Sequence, residues 1–168
     1  MNIKEILSHI NIKRLLQYAL YMFLALITQN MLLTQLRPLG VCPMVLPAVA
    51  VAVGMFAGAS FGSVFSLIMG IFADMAFKEN TVLFTILFPS LAFTAGFVAQ
   101  FFINRRFFAY MGAAVLGFFV TGTVQMLATV ALDEGQWSPV MVVTVLLQTL
   151  WSIPFAVPAY YPPAEWIE

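Results

Sequence analysis

The sequence predicts an all-α, polytopic integral membrane protein: a bundle of six transmembrane helices with both termini in the cytoplasm. Three observations carry this. Of 168 residues, 62% are hydrophobic and 8% charged, where a soluble domain runs at roughly 45–50% and about 25%. The mean hydropathy is +0.99. The few charges are clustered, so that they leave long charge-free runs at 15–36, 38–73, 80–104, 107–132 and 135–164. A water-soluble fold of this length cannot hide so much apolar surface, and a disordered chain needs the opposite composition. Seven Lys and Arg balance seven Asp and Glu, which leaves no basic field to hold nucleic acid. A lone cysteine, Cys42, makes no internal disulfide, and a lone histidine, His9, builds no zinc cluster. No metal or cofactor is expected.

A spanning helix needs roughly 20 apolar residues to cross a core about 30 Å thick. The first run, 15–36, follows Lys4, Lys13 and Arg14 in the manner of a signal peptide. It is too long for a signal core, and Thr28-Gln29-Asn30 follows its apolar middle instead of a small-residue cleavage site. It is read as the first helix. The 38–73 run would make a helix of about 54 Å at ~1.5 Å per residue, too long for one crossing even when tilted. Its weak point is Gly54-Met-Phe-Ala-Gly58-Ala-Ser-Phe-Gly62, where glycine lowers helix stability and allows unusual backbone angles. A second span near 42–56 and a third near 60–77 result, with Pro43 and Pro47 in the first turns of the short second helix. A re-entrant second segment would give five spans. The remaining spans fall near 82–104, 107–132 and 139–160, so that 1–168 form a single transmembrane domain. Pro154, Pro158, Pro162 and Pro163 are expected to break the last helix and leave Tyr160, Tyr161 and Trp166 as interfacial anchors.

With six spans, one side receives Lys4, Lys13, Arg14, Arg105 and Arg106, and the other only Arg37 and Lys78. That excess places both termini in the cytoplasm. The loops are short, so no globular domain is expected, and any activity belongs within or at the edges of the membrane.

Small or acidic residues recur every fourth position along Gly54, Gly58, Gly62, Ser66, Gly70 and Asp74. That spacing lets helix backbones approach closely. The ridge serves either the chain's own helices or a partner's transmembrane helix, and the two uses are not exclusive. Asp74 is the only acidic residue inside an apolar run, with Lys78 four residues on and able to pair with it. The amides Gln17, Gln29, Asn30, Gln35, Gln100, Gln125 and Gln148 lie within the apolar runs. They read first as interhelical hydrogen-bonding groups, and if clustered around a cavity as holders of a polar solute. Arg105 and Arg106, flanked by phenylalanines, read as a cytoplasmic charge contact and anchor. No nucleophile–base pair, HExxH or phosphate-cradling loop is present, which points to a non-enzyme.

The segment Gly54-Met-Phe-Ala-Gly-Ala-Ser-Phe-Gly-Ser-Val-Phe-Ser-Leu-Ile-Met-Gly-Ile-Phe-Ala-Asp74, with Pro43 and Pro47 ahead of it, resembles the bacterial rod-shape-determining protein MreD family. That family shows spaced glycines followed by Gly-x-x-x-Asp at this point; Lys78-Glu79-Asn80-Thr81 stands here where members often carry a further glycine. The resemblance implies a non-catalytic subunit of the elongation machinery in the bacterial cytoplasmic membrane. Such a subunit binds the single-span protein MreC and, through it, couples MreB filaments to peptidoglycan synthases. It also implies that Gly54, Gly58, Gly62, Gly70 and Asp74 are where a partner helix docks. The alternative is the substrate-binding S subunit of an energy-coupling-factor vitamin transporter, similar in fold and length. Those subunits usually carry Ala-x-x-x-Ala on the first helix. Here Ala19 is followed four residues on by Phe23, and Ala25 by Gln29; Ala48-Val-Ala-Val-Ala52 has the spacing, but on the second segment.

Overall fold

The computed structural model describes residues 12–36, 40–76, 82–101, 107–132 and 138–165. These form six helices and, among the described residues, no strand. Helix α1 (Ile12–Ile27) runs on into a π-helical turn, Thr28–Leu33. The others are α2 (Leu46–Ala57), α3 (Ala59–Ala76), α4 (Leu83–Phe101), α5 (Phe107–Leu132) and α6 (Pro139–Glu165). Five are long and apolar enough to cross a membrane, and α2 is shorter.

Helix α2 is the centre. Every residue from Leu46 to Phe56 is buried, enclosed by α3, α4, α5 and α6, with α1 touching it lightly from outside. Its run Ala48-Val-Ala-Val-Ala52 suits a helix with neighbours on all sides, because small side chains let four backbones close around it. The outer helices are inverted relative to a soluble protein. Phe108 is 85% exposed and Ile86 72%, with Leu16 and Met75 similarly bare. In water that surface would cost about 25 cal/mol per Å²; against lipid tails it costs nothing. The chain is a multi-pass membrane protein.

The break expected within Gly54–Gly62 falls at Gly58, whose φ of +98° turns α2 directly into α3. An L side chain is strained in that left-handed region, so glycine is required. The second segment differs from the expectation. Pro43 does not open the helix: residues 41–45 are non-helical, and the helix starts at Leu46 with Pro47 in its first turn. A residue preceding proline is pushed out of the α region, and Pro43 imposes this on Cys42 within the non-helical stretch. The helix alone rises about 18 Å, less than a bilayer core of about 30 Å.

The last helix also departs from the expectation. It does not break at Pro154 but continues through four prolines to Glu165. Each proline withholds an N–H from the carbonyl four residues earlier. For Pro163 that carbonyl is Ala159, and the Tyr21 hydroxyl of α1 donates to it at 2.7 Å. Tyr160, expected as an interfacial anchor, is half-buried with its ring against Phe56, Phe107 and Tyr110. Tyr161 is exposed, and Trp166 lies outside the described residues.

Side-chain contacts fix how the helices run. Tyr18 meets Phe61 and Phe65 near the start of α3, Tyr21 meets the end of α6, and Gln29 meets residues 43 and 45. The start of α1, the Gly58 turn and the end of α6 therefore share one end of the bundle, as an even number of crossings requires.

Candidate functional site

The residues singled out along the fourfold ridge turn inward, onto the chain's own backbone. A Cβ added at Gly62 would sit 2.5 Å from the Gly54 Cα. One added at Gly54 would strike the Ala92 carbonyl oxygen, and one at Gly96 would come within 2.6 Å of the Gly54 carbonyl oxygen. Three helices thus meet at backbone distance around Gly54: α2, α3 and α4. Such approach gives dense dispersion contact without ordering any side chain. Ser66, one turn beyond Gly62, is fully buried, and its hydroxyl has no hydrogen-bond partner; what the contact uses is its small size. Gly70 continues the line, with its would-be Cβ 2.5 Å from the Phe84 carbonyl oxygen. Gly54, Gly62 and Gly70 are therefore occupied within this chain, and Gly58 forms the turn. On that face Gly54 and Gly70 meet α4, and Gly62 meets α2.

Asp74 completes the ridge one turn past Gly70. Its carboxylate accepts hydrogen bonds from the backbone N–H of Phe84 (3.0 Å) and Thr85 (2.8 Å), and from the Thr85 hydroxyl (2.6 Å). Phe84 and Thr85 are the second and third residues of α4, whose N–H groups have no partner inside the helix. An N-cap side chain normally supplies that partner from the same helix. Here the preceding helix supplies it, and the negative charge also lies at the positive end of the α4 dipole. Gly-x-x-x-Asp is thus one device: the glycine lets the start of α4 touch α3, and the aspartate caps it. The pairing expected with Lys78 lies outside the described residues, as do Arg105 and Arg106 and their expected cytoplasmic contacts.

A second polar cluster surrounds residues 41–45. Non-helical backbone at membrane depth persists only where protein satisfies its N–H and C=O groups. Gln29, 2% exposed, does two of these tasks. Its amide donates to the Pro43 carbonyl (3.1 Å), and its oxygen accepts from the Val45 N–H (2.8 Å). From the opposite side, the Ser152 hydroxyl accepts from the Met44 N–H (2.8 Å) and donates to the Gln148 carbonyl (2.6 Å). The Gln148 amide donates to the Cys42 carbonyl (3.2 Å). The π-helical turn aims Gln29 at this segment. Within it the Thr28 hydroxyl donates to the Leu24 carbonyl (2.8 Å), a side-chain bond that competes with the regular ladder. Tyr110, fully buried, donates its hydroxyl to the Ala156 carbonyl at 2.9 Å and ties α5 to α6.

Of these groups, Gln29 and Gln148 stand out in the sequence as intramembrane amides, but Ser152, Tyr21 and Tyr110 do not. For Tyr21 a signal existed, since Pro163 announces an unpaired carbonyl at Ala159. For Ser152 and Tyr110 no local pattern marks the partner, which lies 108 and 46 residues away.

Two grooves open between helices. One, of about 890 Å³, separates α4 from α5 and is floored by Val51 and Met55 of α2. Its only hydroxyl, on Thr94, already donates to the Ser90 carbonyl (2.9 Å). The other, of about 440 Å³, lies between α1 and the second half of α3. Among the described residues no group of His, Cys, Asp and Glu is arranged to hold a metal ion. Comparison with protein-family models, curated proteins and solved structures finds no match for this chain.

Proposed function

We propose that the chain is a non-catalytic scaffold subunit of the bacterial elongation machinery, of the MreD type and resident in the cytoplasmic membrane. In this reading it binds an MreC-like single-span protein and through it helps couple MreB to peptidoglycan synthesis and cell shape. The observation that carries the reading is where the interior polar groups point. Gln29, Gln148, Ser152, Tyr21, Tyr110 and Asp74 each bond to this chain's own backbone. Side chains used in this way hold a rigid platform; they are not available to grip a solute or move a proton. The sequence resemblance over Gly54–Asp74 supports the same reading, and the backbone contacts give that segment a physical purpose.

The vitamin-binding alternative calls for polar groups converging on a cavity, and the amides best placed for that are committed to residues 42–45. Fold-level likeness does not separate the two functions, but recovered partners do. Gentle-detergent purification from the native membrane, followed by mass spectrometry, is expected to recover a single-span MreC-like protein with cell-wall synthases. Recovery of two ATPases and a transport subunit would overturn the scaffold reading.

A further inference from the structure

Among the described residues, Asn30 is the amide that lies half-buried in a groove without a side-chain hydrogen bond. It lies on the π-helical turn next to Gln29, seven residues before Arg37 and within the charge-free run 15–36. Gln29 faces inward. Asn30 is half-buried in the α1–α3 groove, lined also by Ala19, Met22, Phe23, Phe72 and Ala76. Neither amide atom of Asn30 is hydrogen-bonded to any described residue. Gln125, the other half-buried amide without a hydrogen bond, lines neither groove.

An amide offers two donors and two acceptor sites, and leaving them unmet in apolar surroundings is costly. Lipid tails have nothing to offer them, so the complement of this groove is a surface that brings a hydrogen-bonding group to the same depth. Asparagine is its own complement, because one amide donates to the carbonyl of another while accepting in return. A two-fold axis sets a residue opposite itself, and a single buried asparagine is known to fix helix register in this way. The surroundings fit a helix. Ala19 and Ala76 allow close approach, and Phe23, Met31 and Phe72 provide exposed apolar contact. Helix α1 is also the span with the smallest buried share.

We propose that the α1–α3 groove is a self-association site. In it a second copy of this chain crosses its own α1 over α1, so that the two Asn30 amides hydrogen-bond about a two-fold axis. The proposal stands independently of the scaffold reading, since it needs no other protein.

The test uses the full chain labelled for energy transfer in lipid vesicles over a range of protein-to-lipid ratios. Association is expected, weakened roughly tenfold by Asn30→Leu (about 1.4 kcal/mol) and largely kept by Asn30→Gln. Because the Asn30 side chain makes no hydrogen bond to any described residue, Asn30→Leu is expected to leave the thermal stability of the monomer unchanged, which separates lost pairing from misfolding. In a Cys42→Ser background, Asn30→Cys is expected to give a disulfide-linked dimer in membranes, and Gly112→Cys in the α4–α5 groove is not. A chain that stays monomeric at every ratio would overturn the proposal. So would a dimer indifferent to Asn30→Leu, or one cross-linked through Gly112→Cys. If Asn30→Leu instead removes a co-purifying single-span protein from a monomeric chain, the groove belongs to that partner and self-association is wrong.

Discussion

Helices α3 and α4, and helices α4 and α5, are each neighbours in the chain joined by a short connection, yet they meet in opposite ways. Along α3–α4 the backbones touch at Gly70 and Gly96, and Asp74 caps the incoming helix. Between α4 and α5 there is little contact, and a groove of about 890 Å³ opens instead. Small residues do not account for the difference. Ala109, Ala113 and Gly117 recur at four-residue spacing on α5, as the ridge residues do on α2 and α3. A Cβ at Gly112 would meet nothing within 4 Å, and one at Gly117 would make only ordinary contact with the Val51 side chain at 3.4 Å. Small-residue spacing permits close approach; what decides whether it is used is a second device, such as the Gly58 turn or the Asp74 cap.

Substitutions along the two interfaces sharpen that contrast. The largest loss is expected at Gly54→Ala. The atoms in the way are backbone atoms of α4, so strain of about 3 kcal/mol, the upper part of the usual overpacking range, is expected. Reversible unfolding in mixed micelles reads it. Gln29→Leu comes next, leaving the Pro43 carbonyl and the Val45 N–H buried without partners, at about 2 kcal/mol. Hydrogen exchange is expected to rise at Val45, whose N–H loses its partner, before anywhere in α2. Asp74→Ala removes a cap, typically worth ~1 kcal/mol, and the loss is expected to show as fraying of α4 at Phe84 and Thr85. Asp74→Asn, which keeps an acceptor oxygen, should lose less. On the proposed scaffold function, cell-shape complementation gives the functional counterpart: near-normal rods are expected for Asp74→Asn, and rounded cells at normal protein level would assign Asp74 a task beyond capping. Ser66→Ala is expected to be silent or slightly stabilising, because the Ser66 hydroxyl gives up no hydrogen bond.

The contrast also marks what the sequence could disclose. The helical class and the lipid solvent follow from composition and charge gaps alone, because both are sums over many residues. A break within Gly54–Gly62 was legible from its glycines; that it falls at Gly58 depends on the backbone angle the structure gives that residue. The ridge was legible as a close-approach surface but not as to whose backbone it meets; that depends on where Ala92 and Phe84 arrive from another helix. Asp74 read as an ion-pair candidate because Lys78 lies four residues on, whereas its described partners are backbone N–H groups, which no sequence pattern displays. The prolines of α6 misled for a related reason. Pro163 strands the carbonyl of Ala159, and Tyr21, 138 residues away, supplies that carbonyl with a donor.

The central claim is that the Gly54 ridge holds this chain together and the α4–α5 face does not. It is tested most directly by measuring the unfolding free energies of Gly54→Ala and Gly112→Ala side by side in one detergent system. The account predicts a loss of about 3 kcal/mol for the first and no loss, or a gain of up to ~1 kcal/mol from helix propensity, for the second. Equal effects, or a greater loss at Gly112, would contradict it.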